Sequence, residues 1–229
     1  MKKWTFIDSA AMPDGTAISL HEHDGDYYVQ INGLDLMSTR RHASEEKIAE
    51  LACARAKTLP GARVLIGGLG FGYTLKAALA CLAPDATVVM VEVVAAVIAW
   101  NQNPAYKLAA QALADPRVIL MQEDVAEVIR NSPGRFDSII LDVDNGTVAL
   151  STEGNSRLYD PAGLQLARAA LRPGGSVAFW SASSDPAFEK RLARAGFSVS
   201  VERCRPHANS GGWHTILMGT LRREASARP

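Results

Sequence analysis

The sequence predicts an α/β fold: a doubly wound, mostly parallel seven-stranded sheet with helices on both faces, a C-terminal antiparallel hairpin, and a small N-terminal β-sheet in front. Three observations carry this. Apolar runs without polar alternation, the mark of strands buried on both faces, recur at 63–66, 87–92, 136–141 and 176–180. Helix-like stretches separate them, which implies right-handed crossovers between parallel strands. The last two strand-like runs, 197–202 and 213–221, have no helix between them and so form a hairpin.

Residues 1–42 read as short strands and turns. Asp14-Gly15 and Asp24-Gly25 are turn signals, and Asn32-Gly33 lies between two β-rich runs as in a hairpin. Such a sheet is too small for a core of its own and is expected to pack on the main domain or on a second copy. Residues 43–229 are expected to form one nucleoside-binding domain. It opens with a helix over 43–58, with Ser44 as its N-cap and Ile48, Leu51 and Ala52 on one apolar face, ended by Leu59-Pro60-Gly61. Strand 63–66 is followed by helix 73–82, and strand 87–92 by helix 94–101. Pro104 opens a further helical stretch to Leu113. Strand 117–121 precedes helix 125–131, and strand 136–141 precedes a helix with Pro161 at its first position, running to Leu171. Arg172-Pro173-Gly174-Gly175 turns into strand 176–180, and Asp185-Pro186 opens the last helix, ended by Gly196.

Composition narrows the partners. The 229 residues, 48% of them apolar, suit a main domain with a small appendage. Lys+Arg and Asp+Glu balance at 24 each, so nothing in the charge points to nucleic acid or an anionic membrane. Arg191, Arg194, Arg203 and Arg205 read as a solvated helix face and a strand end. Cys53, Cys81 and Cys204 are far apart and odd in number, which argues against a disulfide framework and for a reducing compartment. No signal-peptide pattern and no spanning apolar run are present, so a cytoplasmic protein is expected. His21 and His23 share one strand face, but no third ligand group stands near them in sequence, and no metal is expected.

The chemistry-bearing residues fall at strand ends. Gly67, Gly68, Gly70 and Gly72 occupy four of the six positions after the first core strand, where a backbone free of side chains turns sharply and approaches a ligand. Gly68, Gly70, Phe71 and Gly72 are the candidate cofactor-binding positions of this loop. Glu92 ends the second strand 20 residues past Gly72, where a carboxylate accepts both hydroxyls of a ribose. Asp124 follows the third strand and suits an exocyclic adenine amine. Asp142 ends the fourth, where it would hold an ammonium or take a proton from an amine, and is the candidate catalytic residue. Each has a plainer alternative: a bare strand-helix turn, a solvated strand end for Glu92, an N-cap of the following helix for Asp124, and structural roles for Asp142, Asp144 and Asn145. Residues 145–158, rich in Gly, Ser, Thr and Asn, read as a lid over the site.

Taken together, Val64 to Leu75, Val88 to Glu92, Pro116-Arg117-Val118 with Glu123-Asp124, the run from Phe136 to Asp142, and Ala170 to Gly175 resemble the spermidine synthases (polyamine aminopropyltransferases). That family lies within the Rossmann-like class I S-adenosylmethionine-dependent methyltransferase fold. The resemblance implies S-adenosylmethionine or its decarboxylated form as co-substrate, a small acceptor such as an amine, and a homodimer built through the N-terminal region. It also exposes departures. Phe71 stands where the family has an acid that holds the donor's amine. The family's Asp-x-x-Asp-Pro is here Asp142-Val143-Asp144-Asn145-Gly146, and its Tyr-His-Glu motif has no clear counterpart in Thr39 to Glu46. Methyl transfer to an unknown acceptor, an NAD-dependent oxidoreductase and a non-catalytic binding module stand as alternatives. The dinucleotide fingerprint wants glycine where Tyr73 stands.

Overall fold

Two-residue turns set the first sheet. Asp24 and Gly25, and again Asn32 and Gly33, all take positive φ (59°, 85°, 51° and 77°), the mirror-image turn whose twist matches that of paired strands. They join β2 (Ala17–His23) to β3 (Asp26–Ile31), and β3 to β4 (Leu34–Ser38). With β1 (Thr5–Ala11), these form a four-stranded antiparallel sheet in the order β1-β2-β3-β4. The structure is a computed structural model that describes residues 3–12, 14–143, 156–205 and 212–222.

The inner face of this sheet does not stand alone. Ile18, Leu20 and Val29 are buried in the same apolar cluster as Ile48, Leu75 and Trp100 of the main domain. Each such side chain contributes roughly 1.5–3 kcal/mol by leaving water. Two polar ties add direction: Trp100 Nε1 donates to Asp8 Oδ2 at 2.8 Å, and the Tyr73 hydroxyl donates to the Thr39 carbonyl at 3.1 Å.

The main sheet has seven strands: β5 (Arg63–Gly67), β6 (Thr87–Val91), β7 (Val118–Met121), β8 (Phe136–Leu141), β9 (Leu171–Ser181), β10 (Ser198–Cys204) and β11 (His214–Thr220). Their order is β10-β11-β9-β8-β5-β6-β7, with β10 and β11 antiparallel and β5 to β9 parallel. Side chains alternate between faces. Val64, Ile66, Val88, Met90 and Ile140 enter the cluster shared with α1 (Ala43–Ala56), α2 (Tyr73–Cys81) and α3 (Ala95–Gln102). Leu65, Val89, Val91 and Ile139 enter the opposite one, with α5 (Val125–Arg130), α7 (Pro161–Ala170) and α8 (Pro186–Arg194). Two short helices complete the set, α4 (Ala110–Leu113) and α6 (Ser156–Tyr159).

Three local features differ from the sequence reading. The helix expected from Pro104 to Leu113 is broken: a 3-10 turn at Pro104–Tyr106 ends at Lys107 with φ 53°, and α4 starts only at Ala110. The break lets Ala109 sit against Gly72, whose missing Cβ would stand 2.4 Å from that of Ala109. The Arg172–Gly175 turn lies inside β9, because Leu171 already pairs with Phe136 before the ladder resumes at Ser138 and Ser176. Asp137, opposite this bulge, accepts the Arg63 amide at 2.9 Å and Arg172 Nη1 at 2.7 Å, tying β5, β8 and β9 together. Finally, the N-cap of α1 is His42, not Ser44; the Ser44 hydroxyl turns instead to the Glu45 carboxylate. Among the described residues, no helix is long and apolar enough to cross a membrane.

Candidate active site

The chain leaves β5 outward through β6 and β7 and returns on the other side as β8, so the carboxyl ends of β5 and β8 open a crevice at the point where strand order reverses. The glycine loop sits there. Asp142 N–H donates to the Gly67 carbonyl at 2.9 Å, and a Cβ on Gly68 would stand 2.1 Å from the Asp142 carbonyl oxygen. Only glycine lets the loop pass this close, and its φ of +90° is also a glycine conformation. Asn101, 1% exposed, holds the loop from α3 by donating Nδ2 to the Gly70 carbonyl at 2.8 Å.

Glu92, 9% exposed, faces the same loop. Oε2 accepts the Leu69 amide and Oε1 accepts the Val94 amide, each at 2.9 Å, so two backbone donors set the direction of the carboxylate. Phe71 is 5% exposed and belongs to the core on the α1–α3 face. Asp124 is the N-cap of α5, accepting the Ala126 amide at 2.8 Å, and its other oxygen is paired with Arg157 of α6. The structure thus brings Gly68, Gly70, Gly72, Glu92 and Asp142 to one crevice and gives Asp124 a capping and ion-pairing role beside it. Of the lid expected over 145–158, only 156–158 lie within the described residues, in α6; Asp144 and Asn145 lie outside them.

Thr74 and Glu45 act directly on Asp142, and Ser44 and His214 stand behind Glu45; of these the sequence singled out only Ser44, as an N-cap. Thr74, in the first turn of α2, donates its hydroxyl to Asp142 Oδ2 at 2.6 Å. Glu45, at the start of α1, brings a second carboxyl close enough for the two charges to repel. Its Oε2 accepts the Ser44 hydroxyl at 2.6 Å, and Ser44 Oγ lies 2.9 Å from His214 Nδ1 on β11. Trp180 of β9 meets the His214 ring edge-on, with 4.7 Å between ring centres. On the adjoining rim, His42 stacks on Tyr73 at 4.1 Å, and Lys76 Nζ lies 4.7 Å from the centre of the Tyr73 ring.

Loss of water pushes the Asp142 carboxyl up to about 6, against the downward pull of the Thr74 hydrogen bond. Burial first, and the Asp142 charge second, push Glu45 up to about 7. Both acids therefore hold protons more tightly folded than unfolded, where carboxyls titrate near 4. The stability they contribute is present at low pH and lost as pH rises through 6 and 7. Glu45→Gln keeps an acceptor for Ser44 and removes the repulsion. It is expected to raise Tm at pH 8 by about 3–6 °C over the wild type, with the gap closing by pH 5. Thermal unfolding across pH checks this; a Tm lowered at pH 8 would mean that the ionised pair stabilises the fold.

No protein-family model matches the chain, and no curated protein matches it in sequence. Solved structures do match in shape. Spermidine synthase from Thermotoga maritima aligns at TM-score 0.72 and 19% identity over 96% of this chain and 73% of its own. A spermidine synthase in complex with the transition-state analogue AdoDATO gives TM-score 0.75 and 19% identity over 96% and 75%. A probable spermidine synthase from Corynebacterium glutamicum ATCC 13032 gives 0.63 and 18% over 94% and 79%. The sheet order, the C-terminal hairpin and the small N-terminal sheet thus make up a spermidine synthase-like fold with methyltransferase-like architecture.

Proposed function

We propose that this chain is a transferase that moves an alkyl group from an S-adenosyl sulfonium to a small amine, with aminopropyl transfer from decarboxylated S-adenosylmethionine as the leading form. The observation that carries the reading is the meeting of two carboxyls of raised proton affinity, Asp142 and Glu45, with the glycine loop and Glu92 at one strand-order reversal. In this reading Gly68, Gly70 and Gly72 bring the loop backbone against the nucleoside, and Glu92 takes the ribose hydroxyls. Asp124 takes the adenine amine, for which Arg157 must release one of its oxygens.

Asp142 holds the acceptor ammonium and, with Glu45, takes its proton. The freed lone pair attacks the carbon next to the sulfonium; the C–N bond forms, the C–S electrons return to sulfur, and a neutral thioether leaves. Because the leaving group is already activated, positioning of amine and donor supplies most of the rate. AdoDATO in the similar synthase supports a decarboxylated donor. One observation favours methyl transfer as the second reading: Phe71, buried and apolar, brings no charge to the loop for a donor amine. The exposed Trp4 and Phe6, which lie with His21 on the outer face of the N-terminal sheet, support a homodimer through that face.

Titration calorimetry of the full chain with decarboxylated S-adenosylmethionine, methylthioadenosine, S-adenosylmethionine and S-adenosylhomocysteine tests the proposal. Micromolar binding of the first two is the expected result. Binding of only the last two would move the chain to methyl transfer, and no binding at millimolar concentration would overturn the transferase reading.

A further inference from the structure

The transfer step needs a carboxylate beside the amine. It does not by itself need the buried hydroxyl and the imidazole lined up behind that carboxylate. Ser44 is 0% exposed in the first turn of α1, yet its hydroxyl makes no cap; it spans from Glu45 Oε2 at 2.6 Å to His214 Nδ1 at 2.9 Å. The imidazole is half-buried, at the start of a strand and against the edge of Trp180.

We propose that Glu45, Ser44 and His214 form a proton wire, which drains the proton taken from the acceptor at the Asp142–Glu45 pair to the imidazole and from there to water. This rests on the transferase reading above. His214 acts through Glu45 and is a positioning and relay residue, not one that touches the reacting atoms.

The three groups have two consistent arrangements. With Glu45 ionised, Ser44 donates to Oε2, so its oxygen must accept from His214, which carries its proton on Nδ1. With Glu45 protonated, the carboxyl donates to Ser44, Ser44 donates to a bare Nδ1, and His214 carries its proton on Nε2. From the second arrangement, one proton passes from Glu45 to Ser44 while the Ser44 proton passes to Nδ1. This leaves Glu45 ionised and His214 as imidazolium. Release of the Nε2 proton to water restores the first arrangement, with one proton moved out and no other bond changed.

The surroundings suit this direction of travel. Glu45 feels Asp142 from the end of β8 and Glu46 from its own helix, and its charge also bears on Tyr73 of α2 and Cys204 of β10. Burial, and next the Arg41 charge, hold His214 below the ordinary histidine range, so the imidazolium gives up its proton readily.

Nitrogen-15 NMR of the histidine-labelled, unliganded full chain tests the wire without requiring activity. His214 is expected to hold its proton on Nδ1 at pH 9 and to switch to Nε2 as Glu45 takes a proton on the way down through pH 7. Ser44→Ala and Glu45→Gln should each leave one tautomer across that range. A single tautomer throughout in the wild type overturns the wire, as does a switch that survives in Ser44→Ala. Nucleoside calorimetry decides the transferase reading separately, so the two can fail independently.

Discussion

Asp142→Asn is expected to lower kcat by about 1,000-fold while leaving nucleoside affinity within about threefold. The amide still accepts the Thr74 hydroxyl, now at 2.6 Å from Asp142 Oδ2, and the backbone contacts with Gly67 are untouched, so the crevice keeps its shape. What is lost is the group that takes the amine's proton. Removing one of two repelling carboxyls also relieves the folded state, so the inactive variant should unfold at a higher temperature than the wild type above pH 7. That pairing, loss of rate with gain of stability, separates a functional acid from a structural one. The pH dependence follows the same sign. In the wild type the rate should rise with pH as Asp142 ionises through about 6. Steady-state kinetics with calorimetry and thermal unfolding check all three outcomes; a variant that loses stability and keeps its rate would sink the assignment.

Glu92→Gln is expected to weaken methylthioadenosine binding by about 10–100-fold, because a charged acceptor for the ribose hydroxyls is worth about 1.5–3 kcal/mol. Stability should fall too, by roughly 1–3 kcal/mol. The carboxylate accepts two buried amides, Leu69 and Val94, and the NH2 end of glutamine faces one of them with no lone pair. A loosened turn alone would also weaken binding, so the deciding measurement uses the 2′-deoxy nucleoside. In the wild type, removal of the 2′-hydroxyl should cost affinity; in Glu92→Gln that cost should nearly vanish. An undiminished cost in the variant would show that Glu92 only holds the loop.

Much of this was legible from local pattern. The glycine loop, the acid ending the next strand and Asp142 all announce themselves, because each is set by an apolar run that stops at a charged or glycine position. The N-cap alternative for Asp124 was legible for the same reason: an acid one residue before a helix has amides within reach whatever else the fold does. Ser44 misled, since an N-cap reading uses only its place in the chain. Its actual partners are the neighbouring Glu45 carboxylate and His214, 170 residues away.

Glu45, Thr74 and His214 carry no signal of their own. A glutamate and a threonine in first helical turns are ordinary there, and a histidine opening a strand is a surface residue until something is packed against it. Likewise, the β9 bulge is invisible until Asp137 is seen holding Arg63 and Arg172 from a neighbouring strand.

By itself, the sequence determined the succession of strands and of the longer helices, the two-faced sheet, and three of the groups at its reversal point, because periodicity and turn chemistry act within a few residues. Only the tertiary structure decided that α1, α2, β8, β9 and β11 converge on one carboxyl pair. Sheet order sets which strand ends are neighbours, and the proton affinity of a carboxyl depends on the water and charge that those neighbours take away or bring.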